Sequence, residues 1–510
     1  MPEQISNSKR IAKNTLYMYI RMGVIMLVQL YTARVVLNAL GVEDYGIYNV
    51  VGSFIVAFTF ISGPLGTATQ RFLNFELGKK EKEDISSIFS MSLLIYLVLA
   101  LILVVIIEIA GLWFIYNKMQ MPQDRIAATL WAFHTSVIAL CLSLLKTPFE
   151  SLVIAHEKMS FYAYLGIIEV VLKLVNAWSL LLITIDKLIL YSINQLLIYV
   201  VVIVLIIKYC NKIFPDVKVQ FQKNKRLFKE LMSFSGWSLF GSVASMTANQ
   251  GLEILLNTFY GVVINAAMGI ANQINVSVIQ FVSNFQVAFR PQLVKYYAAG
   301  ELESLRRLIF NTSKYSFLLL FAIVCPLCFN MQFVLDVWLG NPPQYAAEFC
   351  ILMLVYALLE TLSAPMWMTV QATGRIKLYQ ITISLVIFLN IVFSYIFLKL
   401  GYSPIVVFEI KCFLDLFYLL VRLLFMRSMV SLAIKHFIKE VFIPISIIAT
   451  ISIVILLVVA NFLENGWTKL IISTMVFVMA FLPLSFFIAF KKTERRHLLL
   501  YVNNLRSKYI

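Results

Sequence analysis

The sequence is poor in charge, in histidine and in polar stretches. Only 13% of its 510 residues are Asp, Glu, Lys or Arg, against about 25% in a soluble domain. No polar segment is long enough to build a water-facing domain, which excludes soluble and disordered classes. Four histidines (His134, His156, His436, His497) share no ligand spacing. Six cysteines lie in or beside apolar runs. Cys325-Pro326-Leu327-Cys328 formally reads C-x-x-C, but it has no neighbouring histidine and no second pair. It is read as small residues around a helix kink rather than a redox or metal site. A Gly-rich phosphate loop, an H-E-x-x-H helix and a nucleophile elbow are all missing. No enzyme activity, cofactor or metal is therefore expected.

What is abundant is apolar: 61% of the chain is hydrophobic and the mean hydropathy is +0.87. A bilayer core takes about 20 apolar helical residues per crossing. Fourteen stretches meet that length: 14–39, 45–69, 88–116, 126–149, 161–184, 187–207, 232–259, 264–289, 309–334, 346–370, 379–399, 402–426, 441–463 and 466–490. The fold class expected is an all-α polytopic membrane protein. The first stretch is too long for a signal peptide and lacks a cleavage site, so it is expected to be retained.

The net charge of +16 is assigned to orientation rather than to nucleic acid. With an inward N-terminus, even-numbered linkers and both tails hold 30 of the 42 Lys and Arg; odd linkers hold 5 and spans 7. Lys9, Arg10, Arg71, Lys80, Lys82, Lys223, Arg306, Lys491 and Arg496 are among the 30. That bias predicts both termini in the cytoplasm.

Residues 37–78 and 256–300 echo each other at an offset of about 220 residues, or six spans. Each begins Leu-Asn, crosses one span and reaches an arginine (Arg71, Arg290), followed by an aromatic turn and a glycine. An even offset makes the halves parallel repeats about an axis along the membrane normal, a transporter plan. The expected organisation is an N-lobe at 1–207, a basic linker at 208–231 and a C-lobe at 232–427. Two further spans at 428–490 and a basic tail at 491–510 follow.

Polar residues inside spans are expensive and mark cavities or helix partners. In span 7, Ser238, Ser242, Ser245, Asn249 and Glu253 fall within about 80° of one another at 100° per residue. Span 8 repeats the design with Asn265, Asn272, Gln273, Gln280 and Asn284. Arg21 lies about 10 Å into span 1, beyond easy snorkelling. Lys173 has Glu169 one turn away, as an ion pair or as a cavity cation with its counter-charge. Lys411 and Asp415 repeat that spacing in span 12. Arg290 sits at the inner end of span 8. Glu253 and Glu360 are acids deep in the second half, hence candidates for H+ or Na+ coupling. An amide-rich lining with a few cations suits a hydroxylated ligand carrying phosphate.

Three segments carry a resemblance: TARVVLNALGVEDYGIYNVVGSF (32–54), ATQRFLNFELGK (68–79) and FRPQLVKYYAAGE (289–301). They resemble bacterial Wzx-type polysaccharide/O-antigen flippases, within the multidrug/oligosaccharidyl-lipid/polysaccharide exporter superfamily. The resemblance covers spans 1–12 in layout. It implies a flippase that moves an undecaprenyl-diphosphate-linked oligosaccharide to the outer leaflet by alternating access. Implied partners are that lipid, the surrounding membrane lipids and a polysaccharide polymerase. The family's cavity arginine falls on Arg21 and its polar lining on Asn249, Glu253, Asn272 and Gln280. A small-molecule exporter of the same superfamily is the alternative. A polymerase or glycosyltransferase is disfavoured by the short outer linkers, and a major-facilitator transporter by the lack of G-x-x-x-D-R after span 2.

Overall fold

The computed structural model describes residues 2–490 and 495, apart from 57, 80–84, 118, 120, 183–184, 221–223 and 465. Lys80, Lys82, Lys223 and the tail at 491–510, Arg495 excepted, thus lie outside the described residues. Among those described, every regular element is helical. Among the described residues, ten helices are long and apolar enough to cross a membrane by length and composition.

The fourteen expected spans all fall on helix, with two corrections. Spans 1 and 2 are two helices, as expected, and they meet at Gly41 without a loop between them. The segment Pro2–Val56, labelled α1, is divided at Gly41, whose non-helical backbone has a φ of 80° that only glycine adopts cheaply. Span 2 then breaks: a single 3-10 turn, Thr59–Ile61, precedes α2 (Ser62–Gly78). Pro64 sits in the first turn of α2, where its missing N–H loses no helical hydrogen bond. Span 9 is also divided, into α9 (Leu302–Phe329) and α10 (Met331–Leu339), at Asn330. The other expected spans are continuous: α3 (Ile85–Asn117), α4 (Ile126–Ala155), α5 (Met159–Ser179), α6 (Lys187–Ile213), α7 (Lys225–Tyr260) and α8 (Val262–Ala298) in the first part. They continue as α11 (Ala346–Thr373), α12 (Lys377–Lys399) and α13 (Val406–Val430). After the short α14 (Ile434–Phe437) come α15 (Ile443–Ala460) and α16 (Trp467–Leu484). Helix α13 is too charged to count by composition alone, because Glu409, Lys411, Asp415, Arg422 and Arg427 all lie on it.

The chain forms two compact units. Unit 1 is Met1–Ser242 with Val287–Gly300, and unit 2 is Val243–Gln286 with Glu301–Ile510. Helices α7 and α8 therefore contribute one end to each unit.

Unit 1 is tied at both of its ends. At one, Arg125 before α4 donates to Asp44 (2.8 Å from Nε) and lies 2.6 Å from Asp186. Asp186 also caps α6, accepting from the amides of Leu188 and Ile189. Burial alone would raise the Asp186 carboxyl, but the Arg125 and backbone hydrogen bonds hold it below the ordinary aspartate range. A depressed carboxyl adds stability above its unfolded pKa, about 3.9 for Asp, and loses it as pH falls through the folded value. Wild-type protein in detergent should therefore lose more thermal stability than Arg125→Met on acidification below about pH 4. Parallel pH profiles of the two would remove the clasp from the stability of this unit.

At the other end, Arg71 of α2 lies over the rings of Phe72, Phe75 and Phe234 at 4.6, 4.7 and 5.7 Å. Glu157, buried in the α4–α5 turn, accepts from Lys295 (2.7 Å) and Gln292 (2.9 Å) on the end of α8. After α6, residues 216–220 lie against the start of α3. Ser86 donates to the Asp216 carbonyl and accepts from the Lys218 amide; Ser90 accepts from the Gln220 amide. Serines on the helix thus satisfy backbone groups that a non-helical segment leaves unpaired.

In unit 2, α15 and α16 pack on α9. The Lys314 ammonium, 3% exposed, donates to the Ala489 carbonyl. Phe321 meets Phe477 and Phe481 at 5.9 Å. Asn330, at the break after α9, donates to Ser473 on α16 (3.0 Å) and to the Pro326 carbonyl (2.9 Å). Interhelical bonds of this kind in membranes contribute about 0.6 kcal/mol on average and up to about 1.7. Asn330→Ala should lower unfolding stability by about 1 kcal/mol, read as the midpoint of denaturant unfolding in micelles.

Candidate functional site

Unit 1 gathers a set of half-buried charges where α1, α4 and α5 meet. The Arg21 guanidinium lies 4.7 Å from the centre of the Tyr162 ring, a stacking that the planar group favours. It comes that close because residue 166, one turn further along α5, is glycine. A Cβ there would sit 2.5 Å from Arg21 Nε. That nitrogen is buried without a hydrogen-bond partner, and no carboxylate among the described residues pairs with Arg21. Acids are nonetheless near, but lysines hold them. Lys146 lies 3.2 Å from Glu150 and 3.5 Å from Glu169, and Lys173 lies 2.7 Å from Glu169. Lys173 also faces the Tyr199 ring of α6 at 5.3 Å. Counting Arg21, Lys146 and Lys173 against Glu150 and Glu169 leaves one uncompensated positive charge, and Arg21 carries it.

The Lys173–Glu169 pair is the i, i+4 contact that spacing suggests. Lys146 and Glu150 were not singled out from sequence, although their spacing of four on α4 is the same signal. Glu108, a single charge in span 3, finds His134 on α4 at 3.0 Å.

Unit 2 brings a second set together. Glu360 on α11 is held by Arg422 on α13 through two hydrogen bonds, 2.9 and 3.2 Å. Arg422 also donates to Ser363 and, from Nε, to the Tyr379 hydroxyl at 3.0 Å. The expected Lys411–Asp415 pair does not form. Lys411 instead lies over the Tyr356 ring at 4.5 Å and donates to Asn249 on α7 at 3.4 Å. Helix packing decides this: Asn249 and the Tyr356 ring offer Lys411 partners on neighbouring helices, whereas Asp415 points into the buried face of α13. Arg422 escaped notice in the sequence, although it follows Asp415 by seven residues and so shares its face.

The polar faces of α7 and α8 lie in the same unit over most of their length. Asn272 donates to Glu253 across the two helices at 3.4 Å. Gln273, Gln280 and Asn249 are exposed. Asn284, only 4% exposed, donates to the Gln280 carbonyl of its own helix. Arg290 belongs to the part of α8 in unit 1 and is half-buried.

The same helical arrangement occurs in solved membrane transporters. An outward-facing multidrug resistance MATE family transporter of the MOP superfamily matches with a TM-score of 0.68 at 16% identity. The match covers 83% of this chain and 96% of that one. A MOP superfamily transporter from Pyrococcus furiosus, described as having a binding pocket of reversed polarity, gives the same TM-score, identity and coverage. A MATE structure in the bent conformation gives 0.69 at 16% identity, over 83% and 96% of the two chains. The chain thus has the MATE-type fold, two lobes of six helices in a multi-pass membrane protein. The polysaccharide biosynthesis protein family matches residues 11–297, more than half of the chain, and the protein belongs to that family. No curated protein matches it by sequence.

Proposed function

We propose that the protein flips a polyprenyl-diphosphate-linked oligosaccharide, the repeat unit of an O-antigen, capsule or exopolysaccharide, to the outer leaflet by alternating access. The observation that carries this reading is the family match over 11–297, which contains the whole Arg21–Lys173 cluster. An unpaired guanidinium within a membrane helix is a ready partner for a diphosphate, because its planar donors fit two anionic oxygens at once. The exposed amides of α7 and α8 are suited to sugar hydroxyls. The two lobes would be 1–207 and 232–427, in a bacterial cytoplasmic (inner) membrane with both termini inside. Movement of H+ or Na+ would drive the cycle, and a polysaccharide polymerase would receive the product.

Deleting the gene in its host should abolish surface polysaccharide and leave lipid-linked units on the inner leaflet. Normal glycan display in a strain without a paralogue would sink the idea. The multidrug exporter named among the fold's neighbours supports efflux of small molecules as the second reading. The positive balance of the unit 1 cluster disfavours cationic drugs there, and a drug-sensitivity assay separates the two.

A further inference from the structure

Two buried amide oxygens in unit 1 lack donors, and both lie on the seam between α5 and α6. Asn176, 4% exposed, donates from Nδ2 to the Tyr191 carbonyl at 3.2 Å. That bond to a carbonyl fixes which amide atom is the nitrogen, and it leaves Oδ1 buried without a partner. In an α-helix the carbonyl of residue 191 faces the amide of residue 195, so Asn176 meets α6 at Gln195. The Gln195 Oε1 is likewise buried without a partner. A second bond, from Asn194 to the Ser179 hydroxyl at 3.4 Å, sets the register of the seam. Buried acceptors without donors are costly. Both oxygens are closed to molecules from outside, so the donor that satisfies them has to come from the protein.

The cation flanking this seam is Lys173. It precedes Asn176 by three residues on α5 and faces the ring of Tyr199, four residues after Gln195 on α6, at 5.3 Å. Its ammonium is thus about one helical turn, about 5.4 Å, from the amide pair, a distance that its four-carbon stem can cover. An ammonium has three donors, and the one hydrogen bond of Lys173 among the described residues goes to Glu169 at 2.7 Å. Leaving Glu169 would not strand that carboxylate, because Lys146 lies 3.5 Å from it and stays as counter-charge. At the amides, however, the ammonium meets neutral partners only, and a cation without a counter-ion in a membrane helix is expensive. Long side chains on a helix also lean toward its N-terminus, and hence toward Glu169. The shift becomes favourable when an anion arrives with it.

We infer that Lys173, Asn176 and Gln195 form a second phosphate station, one turn beyond Glu169 toward the Asp186 end of unit 1. An anion draws Lys173 off Glu169. Two ammonium donors then go to Asn176 Oδ1 and Gln195 Oε1, and the third goes to a phosphate oxygen. Arg21 meets α5 at Gly166, seven residues before Lys173, so the two stations are about 10 Å apart along the helix. Identifying the anion as a polyprenyl diphosphate passed from Arg21 to Lys173 rests on the flippase reading. The station itself needs only the phosphate.

Two arms of one experiment keep these apart. In the first, binding of inorganic pyrophosphate to the full chain in micelles is measured in the Arg21→Ala background, where the first contact is gone. Gln195→Met, which removes the acceptor and keeps the length of the side chain, should weaken that binding about tenfold, the size of one charge-assisted hydrogen bond. Lys173→Met should abolish it. Gln195→Glu should abolish it too, since the new carboxylate becomes the counter-charge of Lys173 and displaces the anion; a role in packing alone would be rescued by so close a match in shape. Should Gln195→Met fail to assemble, Asn176→Leu carries the same expectation. No binding in the Arg21→Ala background, an unchanged affinity with Gln195→Met, or full binding with Gln195→Glu overturns the station. In the second arm, translocation of a polyprenyl-diphosphate-linked oligosaccharide is followed in liposomes, and Gln195→Met alone should slow it about tenfold. An unchanged rate overturns the part of the station in transport. Should wild type move no such lipid while pyrophosphate binding behaves as expected, the flippase reading fails and the station stands.

Discussion

Alanine at position 21 is expected to abolish translocation of lipid-linked oligosaccharide while leaving the amount of protein in the membrane unchanged. The two halves of that expectation have one cause. Arg21 has an aromatic neighbour, Tyr162, but no carboxylate partner among the described residues. Its removal therefore strands no buried counter-charge, and the fold should tolerate it. On the flippase reading, what would be lost is the charge-assisted contact to a diphosphate, about 1.5–3 kcal/mol, or on the order of 10- to 100-fold in affinity. Arg21→Lys should recover part of the loss, because it keeps the charge without the planar fork. Gly166→Ala should act like a mild version of Arg21→Ala, since its Cβ intrudes on the guanidinium. A transport assay paired with quantitative immunoblotting reads both halves. Wild-type transport by Arg21→Ala would remove this residue from the pathway.

Glu157→Ala should behave in the opposite manner, with a large loss of stability. The Glu157 side chain is 3% exposed and holds Lys295 and Gln292. Truncating one member of a buried ion pair costs about 3–5 kcal/mol. Lys295 is 23% exposed and can recruit water, which places the expected value near the lower bound. Glu157 also occupies the left-handed region, at φ 58°, where a non-glycine residue is strained by about 1 kcal/mol or more. Glu157→Gly should therefore be less damaging than Glu157→Ala, although both lose the same carboxylate. Thermal unfolding in micelles gives the order directly. Equal stability of wild type and Glu157→Ala would show that the contact is energetically idle.

Most of the architecture was legible because a bilayer leaves few choices. Runs of about 20 apolar residues must be helical where water cannot satisfy the backbone. The two departures, the turn at Thr59–Ile61 within span 2 and the break at Asn330 within span 9, are local features inside apolar runs that hydropathy averages away. The sites were legible only where partners lie close in sequence. Lys173 and Glu169 share a helix face, and their pairing follows from a spacing of four. Arg422 and Glu360 are 62 residues apart, and their meeting is fixed by the packing of α11 on α13. The same packing denies Lys411 the partner its spacing suggests. Asp415 thus stands out only once its surroundings are known.

The attachment of α15 and α16 to α9 bears on how far the chain can be pared down. An engineer seeking a minimal twelve-span version would cut after Val430. That cut would expose the Phe321 face of α9 to lipid without harm, since a ring is at home there. It would also deprive the Lys314 ammonium, now bonded to the Ala489 carbonyl, of that acceptor on a helix newly open to hydrocarbon. Insertion scales put such a charge at about 2.5–3.5 kcal/mol near the helix centre. The last two helices therefore cannot be treated as a detachable tag: the sequence of an earlier helix has been written on the assumption that they are present.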